Sequence, residues 1–183
     1  MYSRNEYSRL KKVLVGDATG SKVPNIDISA RCVNYSDKLL DTDIPPSGPY
    51  PKQVIDQANE DIEIFINFLE KENIVVCRPN NDHDPDYSKF CPRDTIFVHG
   101  EHSLFAPMAI KARQHEHQAY GHVLPGTKQV NIDRNNNLYN RDCVGNKDIL
   151  ALTESEPCFD AVNIRKDNEH VYYLVSNSGN RKG

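Results

Sequence analysis

The chain lacks most of the features that announce a function directly. No apolar run approaches the roughly 18 residues needed to cross a bilayer, so no membrane partner is expected. The first residues, Met1-Tyr2-Ser3-Arg4-Asn5-Glu6, hold no apolar leader stretch, which makes a cytoplasmic location the expectation. Neither half carries a basic stripe and the net charge is −4, which gives no reason to expect nucleic acid or an anionic membrane surface as a partner. Cysteine is sparse and odd in number: five residues, at 32, 77, 91, 143 and 158. They follow no short regular spacing, which argues against a disulfide framework and against a zinc site. Free thiols packed as small hydrophobes are the plainer reading. The turn-rich Gly16-Asp17-Ala18-Thr19-Gly20 is followed by no Gly-Lys-Ser/Thr and is therefore not a phosphate loop.

What is present is a chain of 183 residues, enough for one domain with a real core. Apolar residues make up 38% and charged residues 26%, a globular balance. Lys12-Val13-Leu14-Val15-Gly16 reads as a first strand. Residues 41–51 hold Pro45, Pro46, Gly48, Pro49 and Pro51 and read as an irregular surface loop. From 52 to 71 the period changes: Val54, Ala58, Ile62, Phe65 and Leu69 recur at helical spacing, with Pro51 ahead and Asn73 near the end. Ile74-Val75-Val76-Cys77 reads as a buried strand after a tight turn, and residues 78–93 as a polar loop. Residues 95–99 and 103–106, joined at Gly100-Glu101, read as a hairpin. Pro107 suits the first turn of a helix running to about Tyr120. Residues 125–147 read as a surface excursion and 149–152 as a short strand. Residues 160–164 and 171–175 read as a second hairpin.

Two aspartates occupy matching places in this order. Asp94 closes Cys91-Pro92-Arg93-Asp94 ahead of the first hairpin, and Asp160 closes Glu156-Pro157-Cys158-Phe159-Asp160 ahead of the second. The order acid, strand, turn, strand, helix repeats, and the second copy stops where its helix should begin, after residues 176–179. An acid at the mouth of a strand is usually a turn cap or a solvated charge. Two equivalent acids, each behind a proline-containing turn, point further. Carboxylates held at a cleft can bind a guanidinium in a planar fork, or can orient a histidine and stabilise its cation. His115-Glu116-His117 is a poor metal site, because ligands at i and i+2 of a helix face different ways.

Asn5-Glu6-Tyr7, Val13-Leu14-Val15-Gly16, Pro92-Arg93-Asp94, Ala106-Pro107-Met108-Ala109, Arg113 with Glu116, Ala119-Tyr120 and Glu156-Pro157-Cys158-Phe159-Asp160-Ala161 together resemble the amidinotransferase family. The likeness is to the glycine (arginine:glycine) amidinotransferases and to the related inosamine-phosphate and cyanotoxin enzymes, in order from about residue 5 to residue 181. It implies an α/β pentein-type propeller, here incomplete, with roughly half of the ββαβ modules in one partial domain spanning 1–183. It implies transfer of an amidino group from arginine to an amine acceptor such as glycine, giving ornithine, through a covalent amidino-cysteine and with no metal or organic cofactor. Asp160 then matches the aspartate that orients the catalytic histidine, and Asp94 the aspartate that grips the guanidinium. Arg113 matches a basic residue of the same pocket, the alternative being a helix-surface arginine paired with Glu116 or Glu101.

The chain departs from that pattern. The family's His-x-Asp motif and nucleophilic cysteine belong to a C-terminal half with no counterpart here. Of the seven histidines, His83 in His83-Asp84-Pro85-Asp86 comes nearest, but it lies upstream of Pro92-Arg93-Asp94. Val162-Asn163 stands where many relatives have Ala-Asp, which is expected to loosen contacts behind Asp160. Three readings follow. In the first, the chain is half of an amidinotransferase that needs a C-terminal-half polypeptide to supply His and Cys. In the second, it is an inactive module that binds arginine-like guanidines or a protein partner. In the third, Cys158 or Cys91 is an alternative nucleophile, with a homo-oligomer completing the ring.

Overall fold

The computed structural model describes residues 2–37, 44–130, 136–144 and 147–183. Its first αβ unit follows from the helical spacing. Helix α2 (Lys52–Lys71) starts directly after Pro51. It lays Ile62, Ile66 and Leu69 against Val13, Val15, Ile74 and Val76. Full burial of an aliphatic side chain contributes about 1.5–3 kcal/mol, so Ile66 and Leu69 anchor the helix. The apolar stripe is narrower than its spacing suggests: Val54 and Phe65 point outward, 48% and 51% exposed. Helix α2 ends in a left-handed turn at Asn73 (φ 58°). There Ile74 N–H reaches back to the Leu69 carbonyl (3.0 Å) and Asn73 N–H to that of Glu70 (2.9 Å), a cap that satisfies end carbonyls. The chain then enters β4 (Val75–Cys77), which pairs in parallel with β1 (Lys12–Leu14).

The remaining strands form small separate sheets. Strand β2 (Lys22–Val23) pairs with β3 (Gly48–Pro49), so the segment expected to be an irregular loop over 41–51 carries a short strand; its residues 41–43 lie outside the described residues. Helix α1 (Ile28–Asn34) lies between them, capped by the Asp27 carboxylate on Ser29 and Ala30 N–H. The first hairpin, β5 (Ile96–His99) with β6 (His102–Phe105), is extended by a parallel β7 (Lys128–Gln129). Strands β8 (Tyr139–Val144) and β9 (Lys147–Leu152) pair with each other, and β10 (Ile164–Lys166) pairs with β11 (Val171–Tyr173).

Three expectations are corrected. Residues 107–120 are not one helix but bends with two 3₁₀ turns, Lys111–Arg113 and Glu116–Ala119. Met108, Ala109 and Ile110 are all buried in succession, which no single helix face accounts for. The stretch 125–147 is not an excursion throughout: it includes β7 and β8, and Leu138 and Tyr139 are buried beside Cys32, Ala109 and Cys158. The acids do not open strands directly. Asp94 lies in a one-turn helix α3 (Pro92–Thr95), and Asp160 precedes a 3₁₀ turn, Ala161–Asn163; each turn runs straight into its hairpin.

The two turn-and-hairpin units face each other. Arg93 of α3 donates to the carbonyls of Ala161 (2.8 Å) and Ile164 (2.7 Å) in the second unit. Lys166 of β10 is buried and donates to the carbonyls of Val98 and Ser3. Phe97 and Leu104 pack on Met108, Phe159, Ala161 and Ile164 between the hairpins. The matching acids are thereby brought to one place.

Candidate functional site

The centre of the site is a buried guanidinium. Arg113 is 6% exposed, and all three of its nitrogens meet acids. Nε and Nη2 donate to the two carboxylate oxygens of Glu116 at 2.9 Å each, and Nη1 donates to Asp94 Oδ2 at 3.1 Å. Thr95 Oγ1 donates to Glu116 Oε2 at 3.1 Å. The two-pronged fork fixes orientation as well as energy, as planar carboxylate pairing does. The Tyr87 ring lies 5.8 Å from Arg113 Cζ. Burial opposes the Arg113 charge, but the Glu116 hydrogen bonds and the charges of Glu116, Asp160 and Asp94 outweigh it and push the guanidinium above its ordinary value.

The 3₁₀ turns explain the placement. A continuous helix over 107–120 would place Arg113 and Glu116 as surface neighbours, which is the alternative the sequence left open. The broken backbone instead turns both inward, so Arg113 pairs with Glu116 in the interior and not at the surface. Helix α3 starts at Pro92, whose missing N–H suits a first turn, and carries Asp94 in that turn. Asp94 remains partly open to solvent, with its side chain 24% exposed.

Asp160 enters from the second unit and is 9% exposed. Burial pushes its carboxyl up from 3.8 to about 6; the charges of Asp94 and Glu116 add to this, while Arg113 and a hydrogen bond from Ser178 oppose it. Ser178 is held in turn by Asn163, whose amide lies 3.2 Å from Ser176 Oγ and 3.4 Å from Ser178 Oγ. Asn163, expected to loosen the surroundings of Asp160, thus connects to it through a serine. When all are ionised, three carboxylates surround the Arg113 guanidinium, and Arg93 also acts on Asp94, so the cluster keeps a net negative charge. Such a site attracts cations and repels anions.

Sequence reasoning named Asp94, Asp160 and Arg113, and the structure brings all three together. It gave Tyr120 no role in the site; Tyr120 is fully buried, and its hydroxyl has no hydrogen-bond partner among the described residues. The charges of Glu116, Arg113, Cys91 and Asp94 all act on that phenol, and burial pushes its titration up. Ser178 and Tyr87 were also missed. The signal available was the i, i+3 spacing of Arg113 and Glu116, which marks a pair but not its burial.

The thiols and imidazoles stand differently. Cys158 is fully buried in the core and cannot reach a substrate, which removes it as an alternative nucleophile. Cys91 lies near the acids, but burial and the charges of Asp94 and Glu116 push its thiol up to about 11, against the opposing Arg113. A nucleophilic cysteine needs the opposite shift. Among the described residues no histidine bonds to Asp94 or Asp160: His117 Nδ1 lies 2.7 Å from the Gln114 carbonyl, and His170 is 3.5 Å from Asp167. Among the described residues no cluster of His, Cys, Asp and Glu is arranged to hold a metal ion, and no helix is long and apolar enough to cross a membrane.

No family model matches the chain. Individual relatives do. Inosamine-phosphate amidinotransferase 1 of Streptomyces glaucescens is 31% identical over 198 residues, covering 98% of this chain and 56% of its own. The mitochondrial glycine amidinotransferase of Gallus gallus is 28% identical over 210 residues, covering 99% and 50%. Among solved structures, the inosamine-phosphate amidinotransferase of Streptomyces griseus superposes with a TM-score of 0.85 at 28% identity, over 98% of this chain and 56% of that one. The amidinotransferase of saxitoxin biosynthesis from Microseira wollei does so with a TM-score of 0.76 at 27% identity, over 100% and 56%. The chain spans about half the length of the relatives it matches.

Proposed function

The chain is a homologue of the amidinotransferases along nearly its whole length, and on that footing we propose that it forms the carboxylate half of an amidino-transfer site. The observation that carries this reading is the convergence of Asp94, Glu116 and Asp160 around one internal guanidinium. A site that already holds a guanidinium by paired carboxylates, with negative charge to spare, has the chemistry to hold a second. Asp94 gives Oδ2 to Arg113, and its Oδ1 has no protein partner among the described residues. In this reading Oδ1 takes the substrate guanidinium of arginine or another guanidino compound. Arg113 serves substrate binding by fixing Asp94 rather than by touching the substrate.

Amidino transfer also needs a nucleophile for the guanidinium carbon and a proton for the leaving amine. Neither Cys91, with its raised thiol, nor the fully buried Cys158 suits the first task. We assign both tasks to a histidine and a cysteine on a further polypeptide or segment of the length that the relatives possess. In this reading Asp160, buried beside Ser178, receives and orients that histidine. The two turn-and-hairpin units fit two modules of a pentein-type propeller, the reading that the TM-score of 0.85 supports. Arginine is the donor in this scheme, ornithine the product, and an amine the acceptor.

The second reading, an inactive module that binds guanidines or a protein, is favoured by the burial and acidic neighbours that raise the Cys91 thiol. One experiment separates them. Calorimetry of the chain with arginine should show binding, and Asp94→Asn should weaken it at least tenfold, which is about 1.4 kcal/mol. Unchanged affinity in that variant would remove the guanidinium site. Adding a polypeptide that matches the remaining length of the relatives should then release ornithine. Arginine binding without ornithine from a correctly folded mixture selects the inactive module.

A further inference from the structure

The Asp160 turn is held from behind by residues 176–180. Ser176 N–H donates to the Gly179 carbonyl at 2.9 Å and Gly179 N–H to the Ser176 carbonyl at 3.2 Å, which closes a tight turn. Asn180 follows it and is 2% exposed. Its side-chain amide uses both of its donors and accepts twice. Nδ2 donates to the Thr153 and Glu156 carbonyls at 2.7 Å each, and Oδ1 accepts from Cys158 N–H at 3.2 Å and Gly183 N–H at 3.0 Å. The Asn180 backbone N–H donates to the Cys158 carbonyl at 3.1 Å, and its carbonyl accepts from the Tyr173 hydroxyl at 2.6 Å. Cys158, two positions ahead of Asp160, is thus gripped at both its N–H and its carbonyl by one residue.

The other side of Asp160 is tied to the same turn. Asn163 N–H donates to the Asp160 carbonyl at 2.9 Å, and the Asn163 amide reaches Ser176 and Ser178. Gly179 sits where these parts meet. A Cβ at that position would lie 2.4 Å from Asn163 Nδ2 and 2.6 Å from Tyr173 Oη, both far inside contact distance. Gly179 is not in the left-handed region, so its need for glycine is one of space. A buried amide with all its bonds made fixes one arrangement of the groups around it, and its removal withdraws four bonds at once.

We propose that Asn180 is a positioning residue for Asp160: it holds Cys158 on one side while the Gly179 turn holds Asn163 on the other, and so fixes where the Asp160 carboxylate stands beside Arg113. Every bond of the Asn180 side chain is to backbone, so it acts through the path of the chain and not on a substrate. What Asp160 does in catalysis rests on the amidino-transfer reading; its placement by Asn180 does not.

The test is a carbon-13 NMR titration of the Asp160 carboxyl, assigned with Asp160→Asn, alongside calorimetry with arginine. The wild-type midpoint is expected at about 6. Asn180→Ala frees the backbone ahead of Asp160 and admits water to its carboxyl, so the midpoint should fall by about half a unit or more. Gly179→Ala keeps the Asn180 side chain but pushes Asn163 off Ser176 and Ser178. That weakens the Ser178 bond to Asp160 and should raise the midpoint by about half a unit or more. The charged groups that face Asp160 (Arg113, Asp94 and Glu116) are kept in both variants, and Tyr173, its hydroxyl pushed up to about 12, stays neutral through the titration. Leu69→Ala, in the core beneath α2, destabilises the chain away from Asp160 and should leave the midpoint where it is. If Asn180→Ala does not fold, Gly179→Ala decides alone. A folded variant whose midpoint does not move in the stated direction, or an equal shift in Leu69→Ala, overturns the proposal. Shifts as stated in a chain that binds no arginine uphold the positioning role and remove the guanidinium reading. Arginine binding with unshifted midpoints does the reverse.

Discussion

Replacing Arg113 by methionine keeps the length of the side chain and removes its charge. The variant leaves Glu116, Asp94 and Asp160 without their internal cation. Arg113 and Glu116 side chains are 8% and 1% exposed, so the fork they form is a buried one. Removing one partner of a buried pair costs about 3–5 kcal/mol, because the other charge stays behind unpaired. Against a total stability of ~5–15 kcal/mol, that loss is readily seen in urea unfolding. Asp160 supplies a pH signature. Its carboxyl is raised from 3.8 to about 6, so the native state gains from protonation below 3.8 and loses that gain as pH rises through 6. A rise of roughly two units corresponds to about 3 kcal/mol at ~1.4 kcal/mol per unit. Arg113 restrains that rise, and its loss pushes Asp160 higher still. Arg113→Met should therefore be most destabilised near pH 8 and recover part of the deficit at pH 5, where protons replace the missing cation. Arg113→Met/Glu116→Gln should be more stable than the single variant at pH 8. Urea midpoints followed by far-ultraviolet circular dichroism test both statements. A deficit below about 1 kcal/mol, or one that is the same at pH 5 and pH 8, would refute the picture of a buried acidic cluster held by the Arg113 cation.

Three further outcomes follow from the same geometry. Arginine affinity should fall as pH drops through about 6, since protonation of Asp160 removes a carboxylate that favours the cation; calorimetry at pH 5 and pH 7.5 checks it. Cys91, with its thiol pushed up to about 11, should react slowly with iodoacetamide at pH 7.5 and faster as pH rises towards that value, and peptide mass mapping would expose the error if labelling were already rapid. Arg93→Gln should cost about 1–3 kcal/mol by weakening the two bonds to the Ala161 and Ile164 carbonyls, and should lower arginine affinity by loosening the turns that carry Asp94 and Asp160; an unfolding midpoint equal to wild type would contradict it.

The sequence made some of this legible for physical reasons. The 52–71 helix was readable because its apolar residues repeat at helical spacing and its ends carry Pro51 and Asn73. The hairpins were readable because short apolar runs flank polar turns at Gly100-Glu101 and at residues 166–169. The segment after Pro107 was not, because periodicity reports one buried face. Here Met108 packs between the hairpins, Ala109 beside Cys32, and Ile110 against a cavity walled by Tyr35, Tyr50 and Tyr87. Asp94 and Asp160 were legible as a repeated pair, but their meeting depends on bonds from Arg93 and Lys166 to backbone carbonyls, which leave no mark in composition. The inward turn of Arg113 and Glu116 was likewise hidden, since the same i, i+3 spacing serves a surface ion pair.

The Lys166 bond to the Ser3 carbonyl spans 163 residues of chain. On a ribosome adding ~5–20 residues each second, about 8–30 s separate the two ends of that bond. In the later part of that interval the first hairpin is made, yet Asp160 and Ser178 have not joined Arg113. The nascent chain thus carries a partly neutralised cation and an uncovered apolar seam until the second hairpin emerges. Slow or paused translation through residues 140–180 should therefore increase the share of protein lost to aggregation.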